Sequence, residues 1–259
     1  NNQELRLTLS LGISSFPSQA AEMQLLVNQA DQARLSCKSL GGNRIQVYND
    51  SIRQTSMELM RLEQDLRICL DKNEIEVYYQ PKLSLTPNKI ETAEALARWI
   101  HPEQGFISPG VFIPLAERTG LIEQLGYSVL EKSCKQIAKW FNAGKEIQVA
   151  VNIAAQQLVS GNLAEQVDKL LEKYEIPARL LQIELTESSL MDDTSTAIDI
   201  MHSLRARGVS LAIDDFGTGY SSLSYLQRFP LDILKIDRSF LVDQQKELAA
   251  NTNLGAGTL

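Results

Sequence analysis

Val209-Ser210-Leu211-Ala212-Ile213 runs directly into Asp214-Asp215-Phe216-Gly217-Thr218-Gly219-Tyr220-Ser221-Ser222. The first five residues are mostly apolar and too few for a helix, so they read as a buried strand. Two adjacent carboxylates where that strand meets its loop repel each other, and one stays partly protonated unless a cation lies between them. Oxygen-rich sites of this kind suit Mg²⁺ or Mn²⁺. Gly217 and Gly219 allow a tight, closely approaching loop, and the small hydroxyl residues around them can satisfy its backbone. An Asp-Asp pair alone is an ordinary acidic turn. The nine-residue string as a whole points to a metal site.

Working outward from this strand, residues from Glu74 onward alternate strands and helices, which predicts an α/β fold with a largely parallel sheet. Strands are expected at Ile75 to Tyr79 (ending at Gln80-Pro81), Lys89 to Leu96, Gln148 to Ile153, Leu181 to Leu185, Val209 to Ile213 and Ile233 to Ile236. A Pro- and Gly-punctuated loop, His101 to Pro109, precedes a long helix over Gly120 to Phe141. Further helices are expected around Leu163 to Tyr174 and Thr194 to Arg207. Six strands with intervening helices suit a (β/α)-barrel, whose active sites gather at the C-terminal strand ends.

Polar residues fall at those ends: Glu94, Asn152, Glu184, Asp215 and Lys235. Each has an ordinary explanation when taken alone. Glu94 could pair with Arg98, Asn152 could satisfy a turn, Glu184 and Glu187 could be surface acids, and Lys235 could be solvated. Charged residues flanked by buried apolar ones are nevertheless expensive unless paired or metal-bound. Together the five would bring carboxylates, an amide oxygen and an ammonium to one pocket, a set suited to metal-assisted phosphoryl-ester hydrolysis.

Bulk properties agree with a soluble protein that has a sizeable core. The chain has 259 residues, 44% of them hydrophobic, and a net charge of −7. The charge argues against binding a DNA or RNA duplex, which needs a basic face. Three isolated cysteines, Cys37, Cys69 and Cys134, read as reduced thiols in a cytoplasmic setting. No apolar run approaches a membrane span. Asn1 is not a natural start, so any signal or membrane anchor is expected upstream.

Residues 1–48 form a unit of their own. Leu5, Leu7, Leu9, Leu11 and Ile13 alternate with polar or small residues, which predicts a half-buried strand. Met23 to Leu40 carries a helical pattern stopped by Gly41-Gly42-Asn43, and Arg44 to Tyr48 reads as a closing strand. So small a piece cannot bury a core alone. Residues 49–72 read as a linker helix with apolar positions at Met57, Leu59 or Met60, Leu62, Leu66 and Leu70.

Two resemblances attach to these motifs. Leu7 to Ile13, Ala30-Asp31 and Lys38-Ser39-Leu40-Gly41-Gly42-Asn43-Arg44 resemble the C-terminal third of a GGDEF (diguanylate cyclase) domain. Lys38 matches a phosphate-contacting lysine of that family, while Gly42 and Leu35 replace its usual arginine and tyrosine. These departures imply a degenerate module.

Glu94-Ala95-Leu96-Ala97-Arg98-Trp99 resembles the signature of the EAL-domain cyclic di-GMP phosphodiesterases. Gln80-Pro81, Asn152-Ile153, Glu184-Leu185-Thr186-Glu187, Asp214 to Gly219 and Lys235-Ile236-Asp237 follow in that family's order. The resemblance implies a TIM-like barrel over 73–259 whose first strand is antiparallel to the rest, and hydrolysis of cyclic di-GMP to linear pGpG.

The same resemblance implies two divalent ions, Mg²⁺ or Mn²⁺, held by Glu94, Asn152, Glu184, Asp214 and Asp215. It makes Lys235 the residue that orients water or stabilises charge, with Asp237 beside it on the strand. Gln80, Leu96 and Arg98 match substrate-contacting positions. Glu187 matches the acid bracing the loop of Phe216, Gly217, Thr218 and Gly219, and a homodimer through this domain is implied. Two departures stand out: Ala154 replaces a usual serine, and the chain ends before the family's last two strands. Activity of the chain in isolation is therefore in question, and a catalytically silent cyclic di-GMP receptor or scaffold is the alternative.

Overall fold

The computed structural model describes residues 7–39, 41–85, 88–159, 162–190, 194–217 and 228–237. The chain divides into two units, Asn1–Arg67 and Ile68–Leu259.

In the first unit, strand β1 (Leu11–Ile13), helix α1 (Met23–Ser39) and strand β2 (Ile45–Val47) form a β-α-β unit, β1 and β2 pairing in parallel. The predicted strand from Leu5 is shorter than expected. β2 offers only three partner residues, and Leu7 and Leu9 lie outside the strand, exposed. The expected burial is also reversed. Leu11, Ile13, Ile45 and Val47 face outward, while Gly12 packs against the backbone of α1 at Ala30 and Arg34, where a side chain would not fit, and Gln46 is half-buried. Ala33, Tyr48 and Ile52 make the small core. Helix α2 (Asp50–Asp71) is continuous, as expected of the linker. Leu62, Leu66 and Leu70 are buried, but Met57 and Met60 are not.

The second unit is built on a seven-stranded sheet. Its strands are β3 (Glu76–Ser84), β4 (Lys89–His101), β5 (Gly105–Ile107), β6 (Gln148–Ile153), β7 (Leu181–Thr186), β8 (Ser210–Phe216) and β9 (Ile233–Ile236). The order is β3-β4-β6-β7-β8-β9, with β5 also on β4. β3 runs antiparallel to β4, and β4, β6, β7, β8 and β9 are mutually parallel. Helices α3 (Pro109–Thr119), α4 (Ile122–Asn142), α5 (Ala155–Val159), α6 (Leu163–Tyr174) and α7 (Thr194–Ala206) fill the connections. No helix among the described residues is long and apolar enough to cross a membrane.

Every residue of β7 from Leu181 to Leu185 is buried, as expected of a parallel strand covered on both faces. The sheet must curl strongly. β4 and β9 are four strand spacings apart, roughly 19 Å if the sheet were flat, yet Lys235 on β9 reaches Glu94 on β4 at 3.2 Å. That curl brings the strand ends to one mouth.

Three sequence expectations change here. β3 does not end at Gln80-Pro81 but continues to Ser84, because an edge strand tolerates a proline that cannot donate to the ladder. The His101–Pro109 loop contains β5, a short hairpin on β4, and leads into a helix that composition alone did not indicate. Ser108 caps that helix, its Oγ accepting from Gly110 N–H, with Pro109 in the first turn. Finally, Asp214 and Asp215 belong to β8, although the pairing with β9 shifts between Ile213 and Phe216. The C-terminal stretch 238–259, where the closing strands were expected to be missing, lies outside the described residues.

Candidate active site

Four strands deliver the central cluster. Glu94 comes from β4, Glu184 from β7, Asp214 from β8 and Lys235 from β9. Register places them together: Asn152 pairs with Glu184 across β6 and β7, and Thr186 with Asp214 across β7 and β8. One carboxylate oxygen from each of Glu94, Glu184 and Asp214 lies within 4.8 Å of the others.

The Lys235 ammonium sits among them. It donates to Asp214 Oδ2 at 2.5 Å, Glu184 Oε2 at 2.7 Å and Glu94 Oε2 at 3.2 Å. Burial opposes its charge, but the bonds to Asp214 and Glu184 and the field of the carboxylates hold its pKa well above the ordinary lysine value. Glu184 is fully buried. An unpaired charge there would cost several kcal/mol, a cost the neighbouring ammonium offsets.

Neighbouring residues tie into this cluster. The Asn152 amide donates to Glu94 Oε1 at 3.0 Å, and turned over it would present its oxygen instead. Asp215 has its backbone in the left-handed region, at φ 53°, and its carboxylate is not among the clustered three. Burial, followed by the charges of Asp214 and Asp237, raises its pKa. Asp237 lies just past β9, where its N–H meets the Phe216 carbonyl at 3.5 Å. Glu187 is buried, and its Oε2 accepts from Gly217 N–H at 2.9 Å. Gly217 has φ 97°, a conformation that favours glycine. Thr218 and Gly219, expected in the same loop, lie outside the described residues.

A cavity of about 260 Å³ adjoins the cluster, lined by Leu96, Arg98, Ile113, Glu117, Leu125, Asn152, Ala154 and Gln157 among others. Arg98 does not pair with Glu94 as its ordinary explanation would have it. Its guanidinium lies over the Tyr78 ring, 5.7 Å from the centroid, and donates to the Ala97 carbonyl. Gln80 is exposed, directly opposite Glu94 in the ladder. Ala154 leaves the cavity without a hydroxyl at that position, and Thr186 and Ser189 supply hydroxyls nearby.

Two residues escaped the sequence reading. Lys82 on β3 places its ammonium 2.8 Å from Glu184 Oε1, and Gln182 Nε2 donates to the same oxygen at 2.8 Å. The available signal was the period of two: Lys82 follows Gln80, and Gln182 precedes Glu184, each by two residues on a strand face.

This donor set fits divalent metal. Three hard carboxylates and an amide converge, and the protein balances that charge with the ammonium groups of Lys235 and Lys82, cations that stand in for part of a metal's charge.

Comparison with known proteins places these features. A family model described as "EAL domain" matches residues 63–253. The chain is similar to "Cyclic di-GMP phosphodiesterase NbdA" of Pseudomonas aeruginosa, 39% identical over 244 residues, covering 94% of this chain and 31% of that protein. It is also similar to "Bifunctional diguanylate cyclase/cyclic di-GMP phosphodiesterase MucR" of the same organism, at 38% over 242 residues, covering 93% and 35%. The chain thus spans about a third of the length of these relatives. Among solved structures, "PaMucR Phosphodiesterase, c-di-GMP complex" superposes with a TM-score of 0.68 at 42% identity, covering 76% of this chain and 78% of that one.

Proposed function

The chain belongs to the EAL domain family, and from that premise we propose that it hydrolyses cyclic di-GMP to linear pGpG as a metal-dependent phosphodiesterase. The observation that carries this reading is the convergence of Glu94, Glu184 and Asp214 on one point, next to Asn152, which together with Arg98 lines the cavity. A cyclic di-GMP complex of a relative with the same fold supports the choice of substrate.

Glu94, Asn152, Glu184 and Asp214 would hold one divalent ion, and Asp214 with Asp215 a second. Bound there, Mg²⁺ or Mn²⁺ would polarise the phosphate and lower the pKa of a water. Arg98 offers a fixed fork of donors to a phosphate oxygen. Leu96, Ile113 and Leu125 give the cavity an apolar wall suited to a purine. Gln80, opposite Glu94, borders the phosphate side. Lys235 stays charged and faces the reacting oxygen, stabilising negative charge as it develops. Asp237 adds to the acidic environment of Asp215. Glu187 braces the Phe216–Gly217 turn that carries the adjacent carboxylates.

The first unit we read as the end of a GGDEF-like domain, 1–48, joined by the helix of 49–72 to the EAL domain of 73–259. Its parallel β-α-β form supports this. So does the alignment with MucR, whose 242 residues exceed what the chain from residue 63 onward can supply. The sequence preceding Asn1 in the natural protein tests it: absence of a cyclase signature loop there would sink the idea. A homodimer through the EAL domain, in a reducing cytoplasmic setting that suits three buried free thiols, completes the reading.

The direct test is turnover of cyclic di-GMP with Mn²⁺ or Mg²⁺ and with chelator, for the wild-type protein and Glu94→Ala. Metal-dependent pGpG from the wild type alone is expected. Binding without product would reduce the domain to a receptor.

A further inference from the structure

Both oxygens of Glu184 are already engaged by the protein. Lys235 takes Oε2 at 2.7 Å, while Lys82 and Gln182 take Oε1, each at 2.8 Å. Lys82 also stands 3.9 Å from Glu94 Oε2. Three of the carboxylate's roughly four acceptor sites are thus taken, so a metal ion that binds Glu184 competes with cations the fold has already supplied.

Lys82 is the group placed to leave. Lys235 is hydrogen-bonded to all three carboxylates, whereas Lys82 is hydrogen-bonded to one and is the more exposed of the two lysines. It lies on edge strand β3, where the pairing with β4 slips between Lys82 and Leu83. A bulge of this kind bends the strand and re-aims its side chains. Gln182 cannot take over the role of Lys82. It is nearly fully buried, its amide already donates to Glu184, and its own Oε1 has no partner among the described residues.

We propose that Lys82 is a resident counter-ion of the catalytic carboxylates: it holds Glu184 in the metal-free protein, yields to the divalent ion, and so sets the affinity for metal. Lys82 is thus a positioning residue acting through Glu184. The inference rests on the metal-site reading above but adds a competitor to it. An ammonium at hydrogen-bond distance from a ligand carboxylate opposes cation binding, and removing it leaves one ammonium among the three acids.

The test is calorimetric titration of Mn²⁺ alone, without nucleotide, into the purified wild-type protein, Lys82→Met and Lys82→Arg. Lys82→Met is expected to bind Mn²⁺ about tenfold tighter, the fold-change equivalent to about 1.4 kcal/mol. Lys82→Arg, which keeps the charge, is expected to stay close to wild type. A parallel melting series should find metal-free Lys82→Met less stable than wild type, and the gain on adding Mn²⁺ larger. Wild-type binding that Lys82→Met leaves unchanged or weakens overturns this proposal alone. Tightening by Lys82→Arg to the same degree overturns it as well, since charge would not be the cause. No Mn²⁺ binding by any of the three overturns both this proposal and the metal site.

Discussion

Gly126 stands where an added Cβ would fall 2.1 Å from Gln157 Nε2. Gln157 is buried, and its Oε1 accepts from Ala154 N–H at 3.1 Å, closing the turn that follows Asn152. A glycine inside helix α4 costs about 1 kcal/mol relative to alanine, so the close approach is retained against helix propensity. Gly126→Ala should therefore force the Gln157 amide aside and break its bond to Ala154 N–H, and overpacking of roughly 1–3 kcal/mol plus a lost bond of about 1 kcal/mol outweigh the gain in helix propensity. Urea unfolding measures the change. Adding Gln157→Ala should restore part of the loss, and a double variant no better than Gly126→Ala would mean that the clash is not with Gln157.

Removing Lys235 leaves Glu184, fully buried, with Lys82 and Gln182 only. Breaking a buried ion pair from one side costs about 3–5 kcal/mol, and the remaining lysine should keep this case near the lower end. Lys235→Ala is expected to lower the melting temperature in chelator and to recover much of it on adding Mn²⁺, which would neutralise the orphaned acids. Equal destabilisation with and without metal would show that Lys235 supports the fold by some other route.

Glu187 and Gly217 make a third, separate prediction. The 2.9 Å bond between them fixes the backbone just past Asp214 and Asp215, and Glu187 N–H also reaches the Asp214 carbonyl at 3.3 Å. Outer partners of metal ligands typically affect affinity or activity by about 10–100-fold. Glu187→Ala should fall in that range for turnover and should speed amide exchange at residues 214–217. Normal exchange with reduced turnover would assign Glu187 a different task.

How much of this could be read from the chain depended on what sets each feature. Strand β9 and helix α6 match their sequence boundaries, since a short apolar run and a 3.6-residue pattern are local signals. Glu184, Asp214 and Lys235 were legible for the same reason, each near the end of an apolar strand, and so was Glu94, although β4 runs on past it to His101. The bond that joins them was not, because Lys235 meets Glu94 only through the curl of five strands. The outward face of Leu11 and Ile13 was misjudged because alternation reports two faces without saying which one a helix will cover. Lys82 was overlooked because Pro81 looked like the end of a strand.

Alkaline pH should weaken the second unit through groups away from the cluster. Burial pushes the Tyr79 phenol from 10.0 up to about 12, the Cys134 thiol from 9.0 to about 12 and the Cys69 thiol from 9.0 to about 11. Tyr79 donates to the Lys132 carbonyl and packs edge-on against Trp140 with 5.3 Å between centroids. In each case the folded state holds the neutral form, so its stabilisation is complete below the unfolded value and is lost as pH rises toward the folded one. The loss therefore begins near pH 9 for the thiols and pH 10 for Tyr79, and is largely complete by pH 12. For Tyr79 alone it amounts to about 1.4 kcal/mol at pH 11. Urea midpoints measured from pH 7 to pH 11 should fall over the upper end of that range, and Tyr79→Phe should flatten the decline. An identical slope in Tyr79→Phe would place the alkaline sensitivity in the thiols.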